Sequence, residues 1–160
     1  MKIENSSFEE NRVVIVGCNG FIGKALSEKM DYRSISYLGI NKETFNLIDN
    51  SNISKLNNTL KSGDHIVFNS AVTPSRNPND LIQSIKMVEN FADAIRDIGD
   101  IGVTLISSDA VYGDRDGTIS ETTECNPDSF HGLAQLSREI ILKSSGIKKL
   151  AILRLSAVYG

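Results

Sequence analysis

Short β-branched runs alternate with stretches of helical spacing along this chain. Arg12 to Val16 (R-V-V-I-V) reads as a buried strand, because its unbroken β-branched run stops at Gly17. Phe21 to Met30 reads as a helix and Ser34 to Ile40 as a second strand. Phe45 to Leu47 is a candidate short third strand. Ile53, Leu56 and Leu60 have helical spacing, and His65 to Ser70 is another strand. At Asn77-Pro78 an Asn cap precedes a proline at the first helical position, a helix start. Leu81, Ile85, Val88, Ala92 and Ile95 follow at spacings of four and three, so this helix is long, amphipathic and ends near Gly99. Val103 to Ser107 is a strand and Tyr112 to Ser129 a loop rich in Gly, Asp, Thr and Pro. Phe130 to Ser145 is a helix that stops before Gly146, and Leu150 to Leu155 is a last strand. This alternation predicts an α/β fold: a doubly wound parallel sheet of about six strands with helices on both faces.

Composition narrows the partners. The chain has 160 residues, 40% hydrophobic and 23% charged, with a formal net charge of −3. That length suits one domain, and no linker or fold-defining repeat divides it. Mild acidity gives no basic face for nucleic acid. No apolar run approaches the ~20 residues of a membrane span, so no membrane partner is expected. Met1 to Glu10 is polar and acidic and lacks the apolar stretch of a signal peptide. Two cysteines, Cys18 and Cys125, are too few for a disulfide framework, and a reducing cytoplasm is the expected location. No metal site is expected.

The strongest chemical signal is Gly17-Cys18-Asn19-Gly20-Phe21-Ile22-Gly23, a G-x-x-G-x-x-G run between the first strand and the first helix. The first glycine permits a tight turn, the second lets backbone approach a pyrophosphate, and the third lets the helix pack on the sheet. Free N–H groups at the helix start then face the phosphates. The alternative is a tight strand–helix turn with no ligand. Cys18 lies in this loop, where a helix N-terminus lowers a thiol's pKa. The plainer reading is a filler at a variable position.

The loop resembles that of the short-chain dehydrogenase/reductase superfamily, and three further segments extend the resemblance to its NAD-dependent epimerase/dehydratase branch. Asp64 to Ala71 (D-H-I-V-F-N-S-A) is similar to that family's fourth strand, which runs along the cofactor. Ser107 to Asp114 (S-S-D-A-V-Y-G-D) is similar to its fifth-strand signature, and Leu153 to Gly160 (L-R-L-S-A-V-Y-G) to its sixth strand. The resemblance implies a Rossmann-type sheet in the order 3-2-1-4-5-6 and an NAD or NADP cofactor. It also implies a nucleotide-sugar-type substrate and a homodimer paired through the two long helices. It places Gly17, Asn19, Gly20, Phe21, Ile22, Gly23, Asn41, Lys42, Asn46, Leu47, Ser70, Ala71 and Val72 along the cofactor. Family members continue for a comparable length past the sixth strand. Residues 1–160 are therefore expected to be the NAD(P)-binding half alone, without the substrate-binding part.

Two departures concern the cofactor. The acid that holds the adenine ribose lies ~20 residues past the glycines, and Asn41 stands there, followed by Lys42. Lys42 suits the 2′-phosphate of NADP; otherwise it is a solvated loop lysine. Asn46 replaces the Asp that contacts adenine in the family's D-[LI]-x-D segment.

The largest departure concerns the chemistry. The family uses a Ser or Thr, a Tyr, and a Lys four residues after the Tyr, which favours the phenolate. Ser108 matches the Ser or Thr. His131 stands at the tyrosine position and Gln135 at the lysine position. In one reading His131 is the acid/base, since imidazole titrates near 6.5 without help. Gln135 then bonds the ribose, and Asp109 adds the acid that dehydratases of this branch place there. In the other reading the pair is lost, and the chain is a dinucleotide-binding module or a truncated remnant. Tyr112 reads as a wall of the site.

Overall fold

Val14, Ile15 and Val16 have no exposed surface, which puts their strand in the middle of a sheet. The computed structural model describes residues 12–159, and Met1 to Asn11 and Gly160 lie outside that range. Its elements alternate as the pattern predicts: β1 (Val13–Val16), α1 (Phe21–Tyr32), β2 (Tyr37–Ile40), α2 (Asn52–Thr59) and β3 (His65–Phe68). Then come α3 (Pro78–Ile95), β4 (Gly102–Ser108), a 3₁₀ turn (Asp109–Tyr112), α4 (Phe130–Ser144) and β5 (Lys149–Leu155). The strands form one parallel sheet in the order β2-β1-β3-β4-β5.

The doubly wound parallel sheet is found, but with five strands instead of about six. Phe45 to Leu47 is not a strand, so the third position of the expected order is empty. Local bonds explain this. Phe45 N–H donates to the Asn41 carbonyl (2.9 Å), and Ile48 N–H donates to Asn46 Oδ1 (3.2 Å). These bonds fold the backbone into turns, while Phe45 and Leu47 still bury their side chains. The second strand is also shorter than expected: Ser34 adopts φ 54, and pairing starts only at Tyr37. The 3₁₀ turn after β4 was not anticipated.

Helix α3 starts as its sequence dictates. Asn77 Oδ1 accepts from Asp80 N–H (3.0 Å), and Pro78 follows the cap. The helix ends at Ile95, short of Gly99.

Alternate residues of the strands face two different layers. Val14, Val16, Ile40, Ile66, Phe68, Val103 and Leu105 point to one side. There they pack with Leu56 of α2, Val88, Phe91 and Ile95 of α3, and Leu142 of α4. Phe68 and Phe91 stack with centroids 4.2 Å apart. Fully burying each such side chain stabilises the fold by roughly 1.5–3 kcal/mol. Ile15 points to the other side, where α1 is the helix found among the described residues. At the far end of that side Leu153 of β5 is 46% exposed. The chain therefore leaves β1 toward β2 on one face and toward β3 on the other. That reversal opens a crevice at the C-terminal ends of the strands.

Candidate functional site

The crevice begins at the glycine loop, and its three glycines have different physical reasons. Gly17 has φ +93, and a Cβ there would lie 2.9 Å from Ser70 Oγ. A Cβ on Gly23 would lie 2.1 Å from the Gly17 carbonyl oxygen, so α1 packs on the loop only through glycine. At Gly20 a Cβ would meet only ordinary contacts, 3.4 Å from the Gly17 oxygen and 3.6 Å from Asn69 Nδ2. The packing of the loop itself therefore does not demand glycine at position 20. Gly20 caps α1 without any side-chain hydrogen bond, and the first turn carries no acid. The N–H groups of Phe21, Ile22 and Gly23 thus start a helix with no side-chain cap and no acid in its own first turn. Phe21 is 59% exposed at this mouth.

From the loop the crevice runs into a cavity of about 180 Å³. The cavity joins Asn41, Lys42, Asn46, Leu47, Ser70, Ala71 and Val72, the residues expected along the far end of a cofactor. Several of their polar groups already have partners. Asn41 Oδ1 accepts from the N–H groups of Glu43 and Thr44, both at 3.0 Å. The Leu47 carbonyl accepts from buried Asn90 Nδ2 (2.7 Å), and Val72 N–H donates to Ser84 Oγ (3.2 Å).

Three residues of this end were not read from the sequence. Gln83 and Met87 of α3 line the cavity, one helical turn apart. Glu43 reaches the glycine loop, where its carboxylate accepts from Asn19 Nδ2 (3.4 Å). It stands 20 residues past Gly23, a spacing that was the available signal. Cys18 does not have the lowered thiol pKa that a helix start suggests. Burial, with the charge of Glu43, pushes it up.

The other end of the crevice is built by the 3₁₀ turn and α4. Ser129 Oγ caps α4 through Gly132 N–H (3.1 Å). A Cβ on Gly132 would lie 2.2 Å from the Ala110 carbonyl oxygen. The first turn of α4 is therefore pressed onto the 3₁₀ turn, which sets His131 near Asp109. Ser108 Oγ accepts from Ala110 N–H (3.2 Å) and donates to Asp109 Oδ1 (3.1 Å). His131 Nδ1 is buried without a hydrogen-bond partner. Burial and the Arg138 charge push the His131 pKa below its ordinary value, against a smaller opposite pull from Asp109. This lowering favours the neutral imidazole, the form that can accept a proton. Beside this end lies a wider depression of about 580 Å³ lined by Ser75, Arg76, Pro127, Asp128, Ser129, Phe130 and Leu133.

Gln135 is not free. It is 5% exposed, and its Oε1 accepts from Arg138. Tyr112 is buried, and its hydroxyl accepts from Arg154 (2.8 Å). Glu139 is fully buried, accepting from Ser107 Oγ (2.7 Å) and from Arg154 through Nε (2.9 Å) and a terminal nitrogen (2.7 Å). Burial pushes the Glu139 carboxyl up, but these bonds win and hold it below the usual range. Among the described residues, no group of three or more His, Cys, Asp or Glu is placed to hold a metal ion. Nor is any helix long and apolar enough to cross a membrane.

The model of the NAD dependent epimerase/dehydratase family matches residues 13–160. Among solved structures, the chain is similar to dTDP-4-dehydrorhamnose reductase from Bacillus anthracis in complex with NADP. The identity is 22% and the TM-score 0.79, over 93% of this chain and 54% of that one. It is similar also to UDP-glucuronic acid 4-epimerase from Bacillus cereus in complex with NAD (23%, TM-score 0.74, 93% and 57%). A third is UDP-glucose 4-epimerase from Thermus thermophilus with NAD (21%, TM-score 0.74, 89% and 54%). The chain spans about half the length of these structures. No curated protein matches it.

Proposed function

Since the chain belongs to the NAD dependent epimerase/dehydratase family, we propose that it is the dinucleotide-binding part of a nucleotide-sugar oxidoreductase, with NAD or NADP in the crevice. One observation carries this reading: of the three loop glycines, Gly20 is the one that the protein's own packing does not require. It stands at an uncapped helix start beside the 180 Å³ cavity. That arrangement fits a pyrophosphate on the N–H groups of α1, with the adenosine among Asn41, Lys42, Asn46, Leu47 and Ser70, Ala71 and Val72.

When bound, the nicotinamide supplies the hydride acceptor or donor. His131 takes the hydroxyl proton of the sugar as its carbon is oxidised, and returns it in the reverse direction. Ser108 Oγ, turned from Asp109, hydrogen-bonds the same oxygen. Asp109 holds Ser108 until then and partly offsets the positive charge that forms on His131. The sugar approaches through the depression beside the start of α4. Exposed Ile82 on α3 and Ile140 on α4 support a homodimer paired through these helices, which light scattering would detect. The reducing cytoplasm remains the proposed location.

A second reading has its own support. The Ser108 hydroxyl and the Gln135 carbonyl oxygen are both engaged inside the protein, which favours a dinucleotide-binding module without chemistry. Calorimetric titration with NAD and with NADP tests the shared part. Wild type binds one of them, and Gly20→Val abolishes binding without unfolding the protein. Turnover of candidate nucleotide sugars, followed by reduced-nicotinamide absorbance, separates the two readings. Activity lost in His131→Ala favours the enzyme, and binding with no turnover of any substrate favours the module.

A further inference from the structure

Gln135 leaves the lysine position of the site without a charge, yet a cation is buried close by. Arg138, three residues further along α4, is 1% exposed. Its guanidinium donates to the Ile106 carbonyl (3.1 Å), the Ser70 carbonyl (3.1 Å) and Gln135 Oε1. It lies over the Phe68 ring, 5.5 Å from the centroid. Ser70 follows β3 and Ile106 is near the end of β4, so the guanidinium sits between two strand ends beneath the crevice.

A buried charge is costly unless paired, and the acid next in sequence is taken. Glu139 is engaged by Arg154 and Ser107, with Lys143 at 3.5 Å. The recorded hydrogen-bond acceptors of Arg138 are all neutral oxygens. His131, Gln135 and Arg138 stand at i, i+4 and i+7, one face of a helix. Long helical side chains lean toward the N-terminus, which carries the guanidinium back toward Gln135 and His131.

We propose that Arg138 supplies the cation that position 135 lacks: it is the positioning residue of the His131 end, fixing the ends of β3 and β4 and holding a positive charge behind the imidazole, with Gln135 as its bracket. The inference rests on the reading of His131 as the proton carrier. Arg138 touches neither substrate nor cofactor. It acts by adding its charge to burial, the larger cause, in lowering the His131 pKa in the resting protein. The charged groups acting on His131 are Arg138 on its own helix and Asp109 on the 3₁₀ turn, which pull in opposite directions. Glu139 is engaged directly by Arg154 and Lys143, and its charge also acts on Arg138.

The chain has two histidines, so their titration by nuclear magnetic resonance is direct. His65, at the start of β3 and bonded to Thr104 (2.9 Å), is the internal control. In the ligand-free wild type, His131 titrates below the ordinary histidine value. In Arg138→Met, which keeps much of the apolar stem, the His131 midpoint rises by about one pH unit while His65 stays. In Arg138→Lys, which keeps the charge but not the fork of bonds, stability falls and the His131 midpoint stays low. In Gln135→Lys/Arg138→Met the midpoint returns toward wild type. An unmoved His131 in folded Arg138→Met overturns the proposal. If that variant does not fold, a wild-type His131 titrating at or above the ordinary histidine value of about 6.5 overturns it. Because no dinucleotide is present, these results stand apart from the binding test. Binding without a shifted His131 sinks only this inference, and a shifted His131 without binding sinks only the proposed function.

Discussion

The two ends of the crevice are built from different materials. The glycine-loop end is backbone. It consists of a left-handed Gly17, a Gly23 with no room for a side chain, and a helix start left uncapped. The α4 end is buried charge, with Arg138, Glu139 and Arg154 linking α4, β4 and β5 and reaching the 3₁₀ turn through Tyr112. Backbone geometry depends on a few neighbouring residues, so it survives wherever those residues are kept. A buried charge network depends on partners far apart in sequence. Its members can change together, provided the charges still close. That difference explains how one end follows the family pattern while the other carries His131 and Gln135.

The comparison breaks most visibly at the charged end. Glu139→Gln leaves Arg154 with a neutral partner and is expected to cost about 3–5 kcal/mol in chemical denaturation, the usual penalty for halving a buried pair. The ionised carboxyl stabilises wild type above its unfolded value of 4.5, and that contribution disappears as pH falls through the lower folded value. The acid limb of the stability profile should flatten in this variant. A cost comparable to an exposed pair, under about 1 kcal/mol, would mean that the network is ornamental.

At the backbone end, Gly23→Ala forces a methyl against the Gly17 oxygen and is expected to cost about 3 kcal/mol. Gly20→Ala should leave the same denaturation midpoint nearly unmoved. Equal losses at the two glycines would remove the distinction between a packing glycine and a ligand glycine.

A smaller effect sharpens the charged end. Because the folded His131 pKa lies below its ordinary 6.5, the unfolded chain binds a proton there first as pH falls. Stability therefore declines as pH drops through 6.5, and levels off once the folded state is protonated too. His131→Asn should remove that decline from urea midpoints measured across the range. An unchanged profile would show that His131 does not titrate differently on folding.

The smallest effect concerns cofactor choice. Glu43→Gln removes a carboxylate beside Asn19 and should shift preference toward NADP by roughly 2- to 5-fold, the scale of an exposed charge contact. Lys42→Ala should shift it toward NAD by a similar factor. Parallel titrations of the two dinucleotides read both ratios.

What could be read from the sequence follows the same division. The glycine loop, the Asn77-Pro78 helix start and the buried run of β1 are local patterns, and each has its expected structure. Phe45 to Leu47 misleads because its alternating burial looks like a strand, while Asn41 and Asn46 turn the backbone with their side chains. The Arg138 site could not be read at all. Its acceptors Ser70 and Ile106 lie 68 and 32 residues away, and an arginine on a helix is ordinarily solvated. Glu43 sat at a usable spacing, but its turn toward Asn19 depends on how the Asn41 turn closes.

The central claim is that the Gly20 loop is a dinucleotide site and not merely a tight turn. Calorimetric titration of wild type and Gly20→Val with NAD and NADP tests it directly. The account predicts saturable binding to wild type and at least about a 100-fold loss in Gly20→Val, as expected when two charge-assisted hydrogen bonds are displaced, with no change in the thermal midpoint. Equal affinity in the two proteins, or no binding to wild type by either dinucleotide, would contradict it.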